Sequence, residues 1–307
     1  MQYPDPKKVA PRTLFEAEAR KAEKKYKRLL NGIMQRLKKL IAGITDFNAV
    51  QAVLMKFAAT KTFQKLCRET ARQVVTMLAV GQMQSWRAAA SASSQGRRIF
   101  LALQKELKTT PIGVRVNQII DQNARLIQTV PQSLANEFSR IAGETQFAGM
   151  RPEELLEEFK KRAPHLTDVQ ARRIARTETG KAATALVQAR AESMELPLYT
   201  WLTSRDERVR DSHRLMNGVI CSWNDPPNPE LLAGEERTYG NYHPRGIFNC
   251  RCDALPIVDT ADITFPAKVH FHGSIRTVKN IQELQGLFGI VIDEPPKRAK
   301  GKARNSA

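Results

Sequence analysis

Little in this chain is aromatic, and less is cysteine. Phe, Trp and Tyr make up 7% of 307 residues, and there are four cysteines, Cys67, Cys221, Cys250 and Cys252. So few thiols, three of them crowded late in the chain, exclude the disulfide framework that staples small secreted domains. No run of about 18 apolar residues occurs, which excludes a membrane-spanning helix. The opening stretch Met1-Gln2-Tyr3-Pro4-Asp5-Pro6-Lys7-Lys8 has no apolar core of the kind a signal peptide needs. A reducing cytoplasm and no membrane partner are therefore expected. Also missing are a glycine-rich phosphate loop, a G-x-S-x-G elbow and an H-E-x-x-H pair, so no familiar motif supports nucleotide-driven or nucleophilic catalysis.

Positive charge, in contrast, is abundant. Lys and Arg number 49 against 31 Asp and Glu, a formal net charge of +18. Such a field attracts polyanions, although a merely soluble basic surface is the other reading. No base-reading module is present, so contact with double-stranded DNA should be to phosphates and indifferent to sequence. Candidates are Lys24, Lys25, Arg28, Lys38 and Lys39 on one helix face, and Lys297, Arg298 and Lys300 in the tail. The helix face reads equally well as solvated surface.

The length suggests two domains of about 150 residues, and the pattern predicts an α+β chain, predominantly helical. Residues 1–12, with three prolines, read as an extended arm. Residues 13–149 read as a helical region. Tyr26, Leu29, Leu30, Ile33, Leu37, Leu40 and Ile41 form one amphipathic stripe. These stripes offer more apolar face than a small bundle needs, so docking on a partner is expected. Cys67 falls on such a stripe and should be a buried thiol. Pro131 marks a break. A charged helix over 152–163 should stop at Pro164, and Thr167 with Gln170 reads as a capping box opening another helix to about Met194. Residues 198–203 read as a strand, Ser204 as the cap of a short helix, residues 221–248 as mostly loop, and Asn249–Leu255 as a strand. The segment 150–257 is thus a small mixed α/β domain. An αβ extension covers 258–293, and 294–307 is a basic, disordered tail.

Three constellations carry possible chemistry. Arg176 and Glu178 lie in a helix of small residues, where Glu178 and Lys181 can pair. They serve either as ion-pair anchors or as a catalytic carboxylate with its partner. On a helix Asp206, Arg210 and His213 would share a face, as a polar network, an anion site or part of a metal shell. On a strand Cys250 and Cys252 point the same way, with Cα atoms about 6.6 Å apart. With His213, Cys221 and His243 they supply enough soft ligands for Zn²⁺, the set being His213, Cys250, Cys252 and either Cys221 or His243, with Asp206 orienting His213. Packed reduced thiols and a disulfide are the competing readings.

Read in order, Ala175-Arg176-Thr177-Glu178-Thr179, then Trp201 to His213 with Asn217-Gly218, then His243-Pro244 and Asn249-Cys250-Arg251-Cys252 resemble the phage Mu F-like head-morphogenesis domain of tailed phages. The resemblance covers roughly residues 150–257. It implies a minor capsid protein of a phage or prophage. Such a protein is present in few copies at or near the portal, and helps procapsid assembly and DNA packaging or delivery. The implied partners are the portal protein, the major capsid or scaffold protein and the phage DNA. The implied location is the host cytoplasm during assembly and then the interior of the virion. An effector enzyme co-injected with the genome, a nuclease or an ADP-ribosyltransferase-like protein, is the alternative.

Overall fold

The computed structural model describes residues 10–92, 99–101, 103, 111–146, 149–259 and 262–292. Residues 1–9 of the expected arm, and the whole basic tail with Lys297, Arg298 and Lys300, lie outside them. The chain is predominantly helical up to Ser193 and mixed α/β beyond it, as the composition implied.

Among the described residues, the first part contains the helices α1 (Ala10–Ala42), α2 (Val50–Ala59), α3 (Lys61–Ala92), α4 (Pro111–Gln128), α5 (Val130–Gln146) and α6 (Pro152–Ser193). Helix α1 begins inside the expected arm, at Ala10. Its apolar positions Ala22, Tyr26, Leu30, Ile33, Leu37 and Ile41 are all buried against α3 and α6. Leu29 and Leu40 of the same stripe are half-buried. Tyr26 reaches across to α4 and donates to Asn123 Oδ1 at 3.0 Å, so the one hydroxyl in this stripe is satisfied. Cys67 is buried on α3, and burial pushes its thiol up to about 12. The break near Pro131 falls at Thr129, and the proline sits in the first turn of α5, where its missing N–H costs nothing.

Pro164 does not stop the chain. Helix α6 runs 42 residues straight through it, and Thr167 is an interior residue rather than a cap. An interior proline costs about 3 kcal/mol. Here it faces solvent, while Leu155, Leu156, Phe159, Ala163, Ala171 and Ile174 continue one buried stripe across it. Burying a single large side chain contributes about 1.5–3 kcal/mol, so the stripe outweighs the break. The hydroxyl of Thr167 also donates to the Pro164 carbonyl at 2.8 Å.

The later part is a five-stranded sheet in the order β3-β1-β2-β4-β5, with β1 Leu198–Leu202, β2 Ile220–Ser222, β3 Asp253–Pro256, β4 Ala267–Phe271 and β5 Ser274–Val278. All neighbours are antiparallel except β2 and β4. Helices α7 (Asp211–Leu215), α8 (Pro229–Leu232) and α9 (Ile281–Phe288) complete it. Strand β2 lies at the edge of the stretch expected to be loop. The Asn217-Gly218 pair explains how it starts. Asn217 Oδ1 accepts from both the backbone and the hydroxyl of Thr203 at 3.0 Å, which closes the end of β1. Gly218, at φ +83°, turns the chain back into β2.

The two parts share packing. The end of α6 places Val187, Ala191 and Met194 in the same cluster as Tyr199 and Trp201 of β1, and α3 adds Trp86 and Ala90. Arg190, 1% exposed, donates to Gln82 Oε1 at 3.2 Å and to the Ala79 carbonyl at 2.9 Å on α3. Among the described residues no helix is long and apolar enough to cross a membrane.

Candidate metal centre

The sheet face that α6 covers is organised by two aromatics of β1. Tyr199 and Trp201 are two residues apart, so both project to that face, and both are fully buried. Each has a histidine beside it. Trp201 meets His213 edge-on with ring centroids at 5.5 Å, and Tyr199 meets His243 edge-on at 5.5 Å. The face is thereby divided into two pockets, one residue pair apart along the strand.

In the first pocket three potential metal ligands converge. His213 Nδ1 lies 3.4 Å from Cys252 Sγ and 3.7 Å from Cys250 Sγ, and the three donor atoms all fall within 4.8 Å of one another. A tetrahedral zinc with bonds of about 2.3 Å to sulfur and about 2.0 Å to nitrogen requires N···S edges of about 3.5 Å. The observed edges bracket that value. All three residues are buried. The two sulfurs lie close enough to interact, within 4.8 Å of one another. That contact, helped by His213, pulls Cys250 well below the usual thiol range, while the same contact together with burial pushes Cys252 far above it. The Arg245 backbone N–H donates to Cys250 Sγ at 3.3 Å, the kind of donor that favours a thiolate.

The pocket owes its shape to turns rather than to a strand. Cys250 and Cys252 precede β3 instead of lying on it, because Asn249 takes a left-handed φ of +56°. Gly246 is needed nearby: a Cβ there would sit 2.8 Å from the His243 carbonyl oxygen and 2.9 Å from Tyr242 Cβ. Helix α6 presses on this turn through Thr184, whose hydroxyl donates to the Pro244 carbonyl at 2.8 Å. It also does so through Gly180, where an added Cβ would come within 3.2 Å of Arg245 Cβ. Arg245 in turn is held by Asp253 Oδ1 at 2.8 Å.

Cys221 and His243, the two residues expected to compete for a fourth ligand position, belong to the second pocket. Cys221 lies on β2 directly opposite Tyr199. His243 Nδ1 is 3.0 Å from the Tyr199 hydroxyl, and its ring also meets Trp223 edge-on at 5.3 Å. Burial holds His243 down at about 4 and raises the Cys221 thiol to about 12. Neither reaches the first cluster, because the side chains of Tyr199 and Trp201 set the two groups apart.

The expected helical face of Asp206, Arg210 and His213 is not formed. Asp206 sits in a turn, accepting from the Arg208 N–H at 3.1 Å, and Arg210 is the residue before α7. Asp206 pairs with Arg251 through both carboxylate oxygens, which holds its carboxyl below the usual range. It therefore does not orient His213. Arg210 donates to the Phe248 carbonyl at 3.0 Å and lies 5.0 Å over the Phe248 ring. On α6, Arg176 faces Glu23 of α1 at 3.5 Å, whereas Glu178 pairs with Lys181 at 3.2 Å. Glu178 also lines an open cavity of about 490 Å³ between the α4–α5 junction, α6 and the loop from Tyr239 to Phe248. The four polar motif residues thus brace four different contacts. None of the pairs considered as catalytic is assembled among the described residues.

Two side chains in contact with this cluster escaped the sequence reading. His213 Nε2 contacts the Tyr242 hydroxyl at 2.9 Å, and that hydroxyl donates to Glu230 Oε1 at 2.5 Å. Glu230 is 1% exposed. A carboxylate in a proline-rich loop gives no sequence signal of burial. Only its partner, one residue before His243, hinted at it.

Of the basic candidates on α1, Lys24, Arg28 and Lys39 are exposed, and Lys25 and Lys38 are half-buried. Lys38 is engaged with Asp168 at 2.8 Å. Arg36 and Lys27 extend the exposed basic face.

Residues 146–255 match the family described as phage Mu protein F like protein. An uncharacterized protein of Haemophilus influenzae strain Rd is 30% identical over 158 residues, covering 51% of this chain and 33% of the relative. The chain thus spans about a third of the length of the curated relative it matches. No solved structure matches.

Proposed function

Because residues 146–255 are a phage Mu protein F-like segment, we propose that the chain is a head-morphogenesis protein of a tailed phage or prophage, acting at the portal during procapsid assembly and DNA packaging or delivery. The observation that carries this reading is the coincidence of the family segment with the built centre: the end of α6, β1, α7, the Tyr242–Cys252 turn and β3 up to Leu255 fall inside it. The major capsid or scaffold protein and the genome are the further partners of this reading.

The apolar stripe of α1 is largely buried in the core, and in this reading portal docking falls to other residues. Val80 of α3, Phe100, Leu101 and Val114 of α4 are exposed large hydrophobics. The DNA role is supported by the net charge of +18 and by the exposed Lys24, Lys27, Arg28, Arg36 and Lys39 of α1. Such contact is electrostatic, and each phosphate neutralised contributes about −0.9 to the slope of log affinity against log salt.

The His213–Cys250–Cys252 cluster takes zinc in this reading. One nitrogen and two thiolate donors suit zinc better than magnesium or calcium, which prefer oxygen. The ion would tie α7 to the turn before β3 in a region poor in regular structure, and so would contribute to folding, with its fourth position left to water or another ligand.

The test is co-purification of the full chain with a portal protein of the same phage or prophage. Wild type should bring the portal ring down, and charged substitutions at Val80 and Leu101 should release it. A portal that never associates with the wild-type chain, alone or in procapsids, overturns the reading.

A further inference from the structure

Resting on the zinc reading above, we propose that Tyr242 and Glu230 are the positioning residues of the metal centre, and that they fix His213 so that it binds the metal through Nδ1. The argument is one of proton accounting along a buried chain. A tyrosine hydroxyl has one proton. Tyr242 gives it to Glu230 Oε1 at 2.5 Å, so that proton is not available to the imidazole. The 2.9 Å contact between the Tyr242 oxygen and His213 Nε2 must then be made by the Nε2 proton. With its proton on Nε2, the neutral imidazole carries its lone pair on Nδ1, the atom that faces the two sulfurs at 3.4 and 3.7 Å. Metal-bound histidines commonly give their other N–H to a carboxylate or carbonyl. Here a phenol is interposed between ring and carboxylate.

The local structure is built to hold this chain in place. Asn228 caps α8 by accepting from the Leu231 N–H at 3.1 Å, and so fixes the turn that carries Glu230. The Tyr242 N–H donates to the Pro227 carbonyl at 2.9 Å, tying the phenol to the same turn. Trp201 packs edge-on against the imidazole and sets its plane. Glu230 Oε2 has no hydrogen-bond partner and Glu230 is 1% exposed. A carboxylate buried that incompletely satisfied is costly to folding alone. Its place is explained by what it does to Tyr242 and, through it, to His213.

The experiment uses the full chain with zinc and a chelating dye as competitor. Tyr242→Phe and Glu230→Leu should each weaken zinc binding by about 10–100-fold. Glu230→Gln retains an acceptor for the hydroxyl and should lose less. Nitrogen-15 spectra of the zinc-loaded wild type should show His213 protonated on Nε2 and metal-shifted on Nδ1. A wild-type chain that binds no zinc overturns the zinc reading and this inference with it. Wild-type zinc affinity in both Tyr242→Phe and Glu230→Leu, or a spectrum with the metal on Nε2, overturns this inference alone. If the variants do not fold, the wild-type spectrum by itself decides.

Discussion

Arg190 offers a test of whether the helical part and the phage Mu F-like part fold as one unit. Its guanidinium is 1% exposed and bridges from α6 to Gln82 Oε1 and the Ala79 carbonyl on α3, at 3.2 and 2.9 Å. Gln82 is itself held, donating to the Ala183 carbonyl at 2.9 Å. Arg190→Ala removes the hydrogen bonds to Gln82 and Ala79, among its other contacts; a bond from a charged donor contributes about 1.5–3 kcal/mol, and Gln82 Oε1 loses this donor. The expected loss is about 3–5 kcal/mol, with a further cavity contribution from the missing stem. Arg190→Lys keeps the charge but not the fork and should fall between the two. Urea unfolding followed by circular dichroism should show a lower midpoint, an unchanged slope and one cooperative transition in every variant. A loss below about 1 kcal/mol would refute the account of this bridge. Two separate wild-type transitions, only one of them moved by Arg190→Ala, would show that the two parts fold independently.

Other outcomes follow from the same geometry. Tyr26→Phe should cost about 1–3 kcal/mol, because it leaves Asn123 Oδ1 buried without its donor; a double-mutant cycle with Asn123→Leu should recover most of the coupling. Burial holds His243 at about 4 in the folded chain, against an ordinary value of 6.5. The unfolded chain therefore binds the extra proton between these values, and stability should fall as pH drops from 6.5 to 4, by at most about 3 kcal/mol. His243→Gln should flatten that part of the profile, and an unchanged profile would contradict the assignment. Gly246→Ala drives a Cβ into the His243 carbonyl and Tyr242, so it should lower both the melting temperature and the bound zinc. Charge reversal at Lys24, Arg28 and Lys39 should make the salt dependence of DNA affinity shallower by up to about 0.9 per lost contact, with no change in sequence preference.

The elements legible in the sequence were those set by periodicity. The stripe from Tyr26 to Ile41, the strand beginning at Leu198 and the mixed α/β texture after it all reappear, because alternation and 3.6-residue spacing report burial directly. Pro164 misled, because a proline rule is local and the stripe around it is tertiary. At the candidate site the membership of His213, Cys250 and Cys252 was readable from residue type, but the geometry was not. Asn249 at positive φ breaks the expected strand, and the Asp206 turn breaks the expected helical face. Cys221 and His243 looked equivalent to the true cluster in sequence. What separates them is that Tyr199 and Trp201 sit on one face of β1, which no spacing rule between the cysteines records.

The central claim is that this chain is a component of phage heads, and its most direct test is the protein composition of purified procapsids. Quantitative mass spectrometry of procapsids assembled with the full set of head proteins of the same phage or prophage should find the chain in every preparation, in few copies and in constant ratio to the portal protein. Procapsids that form and package DNA while containing none of it would contradict the claim.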